Sequence, residues 1–379
     1  MASKQHLAVV GGGPGGLVVA SVAGQLGLKV TLIEQSGVLG GDCLHSGCVP
    51  SKSLLAMAAR VQAARQGVQQ GVLRTMPDID FVRAMDHVRA VIAHIQQHDD
   101  PERFRGYGVD VRFGKATFTG THELAVGETV IRAKRILVAT GTCPAVPPVP
   151  GLEEAGYETN ETIFTRRALP TRLAVIGAGP MGLELAQAFA RLGSRVTVIE
   201  QADRLLPEAD AGTATVLQQA LEAEGVAFRA GSRVAAARRD GEQRQLKLED
   251  GATVECDRIL VASGRRPAVN GLGLDAAAIE HGPGGIRVDR RMRTSQRHVY
   301  AIGDVADTPY RFTHTAEYEA GIALANIAFR LPRKADYRVV PRVIFTDPEV
   351  AMVGLGEAEA DARGLRCQLA EFEMSAVDR

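Results

Sequence analysis

Two stretches with the same apolar pattern stand out among the hydrophobic and polar positions along the chain. Residues 7–35 read LAVVGGGPGGLVVASVAGQLGLKVTLIEQ, and residues 173–201 read LAVIGAGPMGLELAQAFARLGSRVTVIEQ, which align without a gap. In each copy a short β-branched run predicts a buried parallel strand. Glycines follow, and a helix-forming segment leads into a second strand. The repeat therefore predicts two copies of one βαβ unit.

Each copy carries a G-x-G-x-x-G turn and an acidic residue where its second strand ends. The first glycine permits a tight turn, the second lets the backbone approach a pyrophosphate, and the third lets helix and strand pack closely. The helix N-terminus attracts phosphate, and the acid accepts hydrogen bonds from ribose hydroxyls. The positions are Gly11, Gly13, Gly16 and Glu34 in the first copy, and Gly177, Gly179, Gly182 and Glu200 in the second. We therefore predict two dinucleotide sites, one for FAD and one for a nicotinamide dinucleotide.

The acid of the second copy also bears on which nicotinamide nucleotide binds. A carboxylate at Glu200 suits a free 2′-hydroxyl and repels a 2′-phosphate, which favours NAD(H). Arg204 lies four residues further on and could pair with a phosphate. NADP(H) is therefore the alternative.

Composition narrows the classes of protein to which the chain can belong. The chain has 379 residues, 45% of them hydrophobic, and a formal net charge of zero, so we expect two or three domains and neither nucleic acid nor an anionic membrane as partner. No apolar run reaches the roughly 20 residues that cross a bilayer, and the N-terminus lacks the pattern of a signal peptide. With only five cysteines, a cytoplasmic location is expected.

The stretch GGDCLHSGCVPSKS, residues 40–53, places Cys43 and Cys48 close together in a glycine-rich loop. A zinc site that includes His45 would need further ligands at suitable spacing, and none follow, so no metal site is predicted. A structural disulfide would be unusual in a reducing cytosol. A redox pair fits better, because a dithiol beside a flavin can exchange two electrons with a nicotinamide.

Together these motifs resemble the class I pyridine nucleotide-disulfide oxidoreductases, the family of dihydrolipoamide dehydrogenase, glutathione reductase and mercuric reductase. Further stretches match in order: ILVATGTCP (136–144), ILVASGRRP (259–267), YAIGDV (300–305), HTAEYEA (314–320) and FTDPEVAMVG (345–354). The resemblance implies an α/β, glutathione-reductase-like fold with two Rossmann-like dinucleotide-binding domains and the start of an α+β dimerisation domain. It implies an FAD-binding domain at 1–147 and 268–338, an NAD(P)-binding domain at 148–267, a partial dimerisation domain at 339–379, and a homodimer.

The resemblance also implies roles for single residues. Cys48 would be the thiol beside the flavin, and Cys43 would be the outer thiol that exchanges with substrate. Lys52 and Glu184 match an ion pair near the flavin, and Asp304 would hold the ribityl chain. The other implied flavin contacts are Gly41, Asp42, Thr140, Gly141, Gly303, His314 and Ala316, and Gly264 belongs to the nicotinamide site.

Departures from the family pattern leave the electron acceptor open. Asp42 and His45 stand where the family usually has threonine and asparagine, and a carboxylate disfavours a neighbouring thiolate unless it is paired. None of the nine histidines is followed by proline, so the family's C-terminal acid–base histidine is missing, and we expect a fragment truncated in its dimerisation domain.

The expected function is that of an NAD(P)H-dependent flavoenzyme that reduces a small-molecule or protein disulfide, or a metal ion. Two alternatives are a non-catalytic flavin-based redox sensor that binds a partner and a plain NADH:acceptor flavoprotein. The second nucleotide site favours the enzyme, because a sensor does not need NADH.

Overall fold

The first repeat forms the centre of a mainly parallel β-sheet in the computed structural model, which describes residues 5–377. Its strands lie in the order β3-β2-β1-β6, and the long strand β6 continues into an antiparallel meander with β5 and β4. The elements are β1 (Gln5–Val10), α1 (Pro14–Gln25), β2 (Val30–Glu34), α2 (Gly41–His45), α3 (Cys48–Gln69), α4 (Phe81–Gln96), α5 (Pro101–Gly106), β3 (Val109–Phe113), β4 (Ala116–Gly120), β5 (Glu123–Val126), β6 (Thr129–Val138) and β7 (Thr142–Pro144). The long insertion after α2 is thus helical.

The second repeat builds a second parallel sheet with the strand order β10-β9-β8-β14, and β11, β12 and β13 form an antiparallel sheet beside it. The elements are α6 (Leu152–Ala155), α7 (Asn160–Ile163), β8 (Arg172–Ile176), α8 (Pro180–Leu192), β9 (Arg195–Ile199), α9 (Ala211–Ala223), β10 (Ala227–Arg229), β11 (Val234–Asp240), β12 (Gln243–Leu248), β13 (Thr253–Cys256), β14 (Arg258–Val261) and β15 (Arg265–Pro267). Leu7 pairs with Val30 in the first sheet, and Leu173 pairs with Val196 in the second. The repeat therefore extends to strand register.

The chain then returns to the first sheet. The remaining elements are β16 (His281–Gly282), β17 (Gly285–Ile286), β18 (Val299–Ala301), α10 (Thr313–Ala328), β19 (Pro341–Ile344), β20 (Val350–Val353) and α11 (Glu357–Ala362). Strand β18 pairs in parallel with β6, so the first domain is assembled from two separate chain segments. The chain passes from the first sheet to the second through β7 and returns through β15, and we call these two connections the crossings. They run side by side, because β15 pairs antiparallel with β7. The domain limits given above stay predictions.

An apolar core joins the cysteine-bearing helix to the second repeat. Leu54 and Phe81, from α3 and α4, pack with Phe189 of α8, and Ile344 of β19 belongs to the same cluster. Burial of such side chains is worth roughly 1.5–3 kcal/mol each, so the position of α3 against α8 is strongly held. No helix within residues 5–377 is long and apolar enough to cross a membrane.

Candidate active site

One cavity of about 1500 Å³ connects the two glycine-rich turns and passes the cysteine pair. The predicted positions that line it are Gly11, Gly13, Glu34, Gly41, Asp42, Cys43, Cys48, Lys52, Thr140, Gly141, Gly177, Gly179, Glu184, Glu200, Gly264, Gly303, Asp304 and Ala316. The fold therefore brings both sequence repeats and the dithiol to one continuous space.

The third glycine of each turn is a packing position. A β-carbon on Gly16 would lie 1.9 Å from the carbonyl oxygen of Gly11, and one on Gly182 would lie 2.2 Å from that of Gly177. Both distances are far shorter than any real contact. Only glycine therefore lets each helix start this close to its strand, as the motif predicts.

The acid at the end of each second strand is held in the same way in both copies. Glu34 accepts a hydrogen bond from the N–H of Gly12 at 2.7 Å, and Glu200 accepts one from the N–H of Ala178 at 2.7 Å. Each carboxylate also accepts from the N–H two residues further along the chain, at 2.7 and 2.9 Å respectively. A carboxylate oxygen can accept further hydrogen bonds, so both acids keep capacity for ribose hydroxyls.

The middle glycine of each turn leaves room for a dinucleotide. A β-carbon on Gly179 would meet no atom within 4 Å, and one on Gly13 would lie 3.8 Å from its nearest neighbour, the α-carbon of Gly41. The unpaired N–H groups at the starts of α1 and α8 add a favourable potential for phosphates. The donors, the acids and the open space together fit a dinucleotide in each copy.

The two cysteines of the loop are free thiols, and each side chain is near enough to shift the pKa of the other. Cys43 belongs to α2, and Cys48 is the first residue of α3, where the helix dipole favours a thiolate. The neighbouring Cys43 side chain, aided by Thr313 and Lys52, lowers the pKa of Cys48 to about 6 although burial opposes it. The Cys48 side chain and burial raise the pKa of Cys43.

Lys52 and Glu184 form the predicted ion pair, with 2.7 Å between Nζ and Oε2. The packing of α3 on α8 brings the two side chains together, and Glu184 is only 4% exposed. Its other oxygen accepts a hydrogen bond from the N–H of Phe345 at 3.0 Å, and the Lys52 ammonium lies 4.6 Å from the centre of that ring. The role of the pair beside a flavin stays a prediction.

Asp42, the carboxylate that precedes the first cysteine, is paired. Its Oδ2 lies 3.2 Å from Nη2 of Arg265, which comes from the return crossing β15. Its Oδ1 accepts hydrogen bonds from the Ser46 hydroxyl at 2.6 Å and from the amide of Asn160 at 3.0 Å. Because this carboxylate is paired, it does not prevent a thiolate from forming on the neighbouring cysteine.

Arg265 also connects the cysteine loop to Asp304. Its Nε donates to the Thr142 hydroxyl at 2.6 Å, and that hydroxyl donates to Asp304 at 3.1 Å. Burial raises the pKa of Asp304, and the positive charge of Arg265 opposes the rise. The Nη1 of Arg265 is buried and has no acceptor among residues 5–377. A donor left over beside this cavity fits an oxygen-rich cofactor.

Of the two histidines near the site, one lies differently from what the sequence predicts. The predicted flavin contact His314 is exposed, and its Nε2 lies 3.0 Å from the carbonyl oxygen of Pro341. Its imidazole stacks on Phe312 and does not line the cavity, because the first turn of α10 directs it outward; its neighbour Thr313 reaches Cys48 instead, at 3.3 Å. His45 lies 2.9 Å from the carbonyl of Leu39.

Sequence reasoning missed Thr313, Arg265 and Asn160 as site residues. Thr313 precedes the HTAEYEA stretch and Arg265 lies inside ILVASGRRP, so both stood beside positions already singled out. Asn160 is 118 residues from its partner Asp42, and no local pattern marks it.

The chain belongs to the pyridine nucleotide-disulphide oxidoreductases: the family model of that description matches residues 5–320, and the model of the family's dimerisation domain matches residues 340–379. This confirms the family resemblance and the fold class predicted from the sequence. The cavity described above lies within the first of these matches, apart from its edge on β19 and β20.

Individual relatives agree with this assignment. Mercuric reductase of Bacillus cereus is 32% identical over 375 residues, which cover 98% of this chain and 59% of the relative. Dihydrolipoyl dehydrogenase 3 of Pseudomonas aeruginosa is 36% identical, with 100% of this chain and 83% of the relative covered. The solved structure of the HOCl-induced flavoprotein disulfide reductase RclA from Escherichia coli superposes with a TM-score of 0.88 at 29% identity, covering 98% of this chain and 82% of that one.

Proposed function

We propose that the chain is an FAD-dependent oxidoreductase that passes electrons from NADH to the Cys43–Cys48 pair and on to a disulfide or metal-ion acceptor. The observation that carries this proposal is the single cavity lined by both glycine-rich turns and both cysteines. When bound, FAD would relay two electrons between the nicotinamide and the disulfide. Dimerisation, which the match to residues 340–379 supports, and a cytoplasmic location belong to the same proposal.

The thiol chemistry follows from the unequal proton affinities of the two cysteines. At neutral pH Cys48 carries the thiolate and Cys43 keeps its proton, since their pKa values are shifted in opposite directions. Transfer of that proton to Cys48 frees Cys43 to attack a disulfide acceptor, which forms a mixed disulfide and releases one thiolate. Cys48, deprotonated again, then displaces the second thiolate and closes the Cys43–Cys48 disulfide.

The choice of NADH rests on Glu200 and Arg204. Glu200 places a carboxylate where a 2′-phosphate would bind. The Arg204 guanidinium donates to the backbone carbonyls of Leu206, Pro207 and Ala209, at 3.2, 2.7 and 2.9 Å, so it is already engaged within its own loop. We expect faster turnover with NADH than with NADPH at equal concentration; a clear preference for NADPH would contradict this assignment.

An anaerobic NADH titration of the flavin-loaded protein, followed by absorbance, tests the proposed electron path. We expect a new long-wavelength band from the Cys48 thiolate beside the flavin, and its loss in Cys48→Ser. Cys143→Ser is the matched control, because Cys143 lines the same cavity outside the pair and its replacement should leave the band. Simple bleaching of the wild-type flavin would exclude the dithiol and favour a plain NADH:acceptor flavoprotein or a sensor.

A further inference from the structure

We propose that the Asp42–Arg265 ion pair is a positioning device that fixes the charge beside the dithiol and so sets the pH at which Cys48 becomes a thiolate. The inference rests on the proposed function and deepens it. It concerns a carboxylate that stands next to the first cysteine and an arginine that reaches it from the return crossing, with 3.2 Å between Oδ2 and Nη2.

The geometry makes this pair different from an ordinary surface ion pair. The side chains of Arg265 and Asp42 are 21% and 38% exposed, so both charges are partly withdrawn from water. Asp42 is further fixed by Asn160 and Ser46, and Arg265 by Thr142. Because both side chains are already held in one arrangement, no side-chain ordering is needed before their charges shift the proton affinity of a nearby thiol.

Charged or titratable groups from every neighbouring element line the cavity that holds the dithiol. They are Asp42 and His45 from α2, Lys52 from α3, Glu161 from α7, Glu184 from α8, Arg265 from β15, Asp304 and Arg311 from the segment between β18 and α10, and Arg342 from β19. Lys52 is paired with Glu184, and Asp304 is hydrogen-bonded by Thr142. Asp42 is the residue that directly precedes Cys43. Disruption of its pair with Arg265 would therefore leave an uncompensated charge next to that cysteine.

The two charges act in opposite directions on the dithiol. The negative charge of Asp42 raises the pKa of Cys48. If Arg265 is lost, that charge is no longer offset, and the thiolate should form only at higher pH. If Asp42 is lost, the arginine remains alone, and the thiolate should form at lower pH. If both are removed, the two effects should largely cancel.

The pH dependence of thiol alkylation tests the proposal on the flavin-loaded protein, fully reduced by a phosphine under anaerobic conditions. A thiolate displaces iodide from iodoacetamide and forms a thioether, so the labelling rate follows the thiolate fraction. Cys43 and Cys48 share the tryptic segment 30–52, and fragmentation in the mass spectrometer locates the label. Cys367, which is exposed and lies far along the chain, reports the reagent's own pH dependence.

We expect Arg265→Gln to raise the labelling midpoint of Cys48 by about one pH unit and Asp42→Asn to lower it by a similar amount. The double variant should return to within roughly a third of a unit of wild type, and Arg265→Lys, which keeps the charge, should stay near wild type. If Arg265→Gln does not fold by circular dichroism, the Asp42→Asn and Arg265→Lys variants still decide the matter.

The outcomes separate this inference from the proposed function. Equal midpoints in all variants, or equal shifts in the single and double variants, would overturn the inference while leaving a reactive dithiol. A wild-type Cys48 that labels no faster than Cys367 at pH 7 would overturn both, because the thiolate on which the proposed function depends would be missing.

Discussion

The Lys52–Glu184 ion pair allows a prediction whose size follows from its burial. Replacement of Lys52 by methionine removes the ammonium 2.7 Å from Glu184 and leaves the carboxylate, 4% exposed, with the N–H of Phe345 as its remaining partner. Breaking a fully buried pair in this way costs about 3–5 kcal/mol. Lys52 is itself 36% exposed, so solvent already screens part of the attraction. We therefore expect the free energy of unfolding to fall by about 2 kcal/mol.

The same reasoning gives the pH dependence of the loss. An unpaired buried carboxyl has a raised pKa, so Glu184 in Lys52→Met should bind a proton more readily when folded than when unfolded. The ionised Glu184 lowers the stability of the variant above the folded-state pKa, and this loss disappears as the pH falls through that value. The destabilisation relative to wild type should thus be larger at pH 8 than at pH 5.

Urea unfolding of the flavin-loaded variants, followed by circular dichroism at both pH values, provides the measurement. The flavin content of each variant is determined first, so that lost cofactor is not counted as lost packing. In the matched double variant Lys52→Met/Glu184→Gln no charge is left buried, and most of the stability should return. The reasoning would be refuted if the free energy of unfolding of Lys52→Met fell by less than about 0.5 kcal/mol. It would also be refuted if the loss in the double variant equalled the sum of the losses in the two single variants.

Two further predictions concern the second glycine turn and a buried acid of α10. Gly179→Ala should leave the urea midpoint unchanged, since φ is −75° and no atom lies within 4 Å of the added carbon, yet it should weaken NADH binding at least tenfold by titration, about 1.4 kcal/mol; Gly321→Ala, equally open, is the control that should not affect binding. Burial raises the pKa of Glu319, which accepts hydrogen bonds from Tyr337 and Gly303. Wild type should therefore gain stability relative to Glu319→Gln as the pH falls from 8 to 5, and a constant difference in urea midpoint would contradict this.

The repeat is what made the fold predictable. A strand, a glycine turn, a helix and a second strand lie within 29 successive residues, and the partners in each strand pair, such as Leu7 with Val30, are close in sequence. Local apolar pattern and turn chemistry therefore determine most of each unit. The discontinuous first domain came from the family resemblance, because no local pattern shows that β18 pairs with β6.

The site was predictable only where function is tied to a motif. The turns, the acids and the cysteine pair line the cavity as expected. The partner of Asp42 was not predictable, because Arg265 meets it only through the pairing of the two crossing strands. His314 shows a further limit: the sequence places the start of α10 within one residue, but the direction of a side chain in the first turn depends on backbone geometry that the pattern does not contain.

The paired crossing strands have a consequence for how the molecule can be rearranged. Pro144 and Arg265 are partners in the β7–β15 pair, so the unit built on the second repeat leaves and re-enters the unit built on the first repeat at one point. Such an insertion behaves as a cassette: a short turn joining residues 144 and 265 would close the gap without disturbing any strand of the first sheet. The first sheet would thus stay continuous if residues 145–264 were exchanged for the matching unit of a relative, whereas simple removal would expose the apolar faces of α3 and α4 that pack on α8.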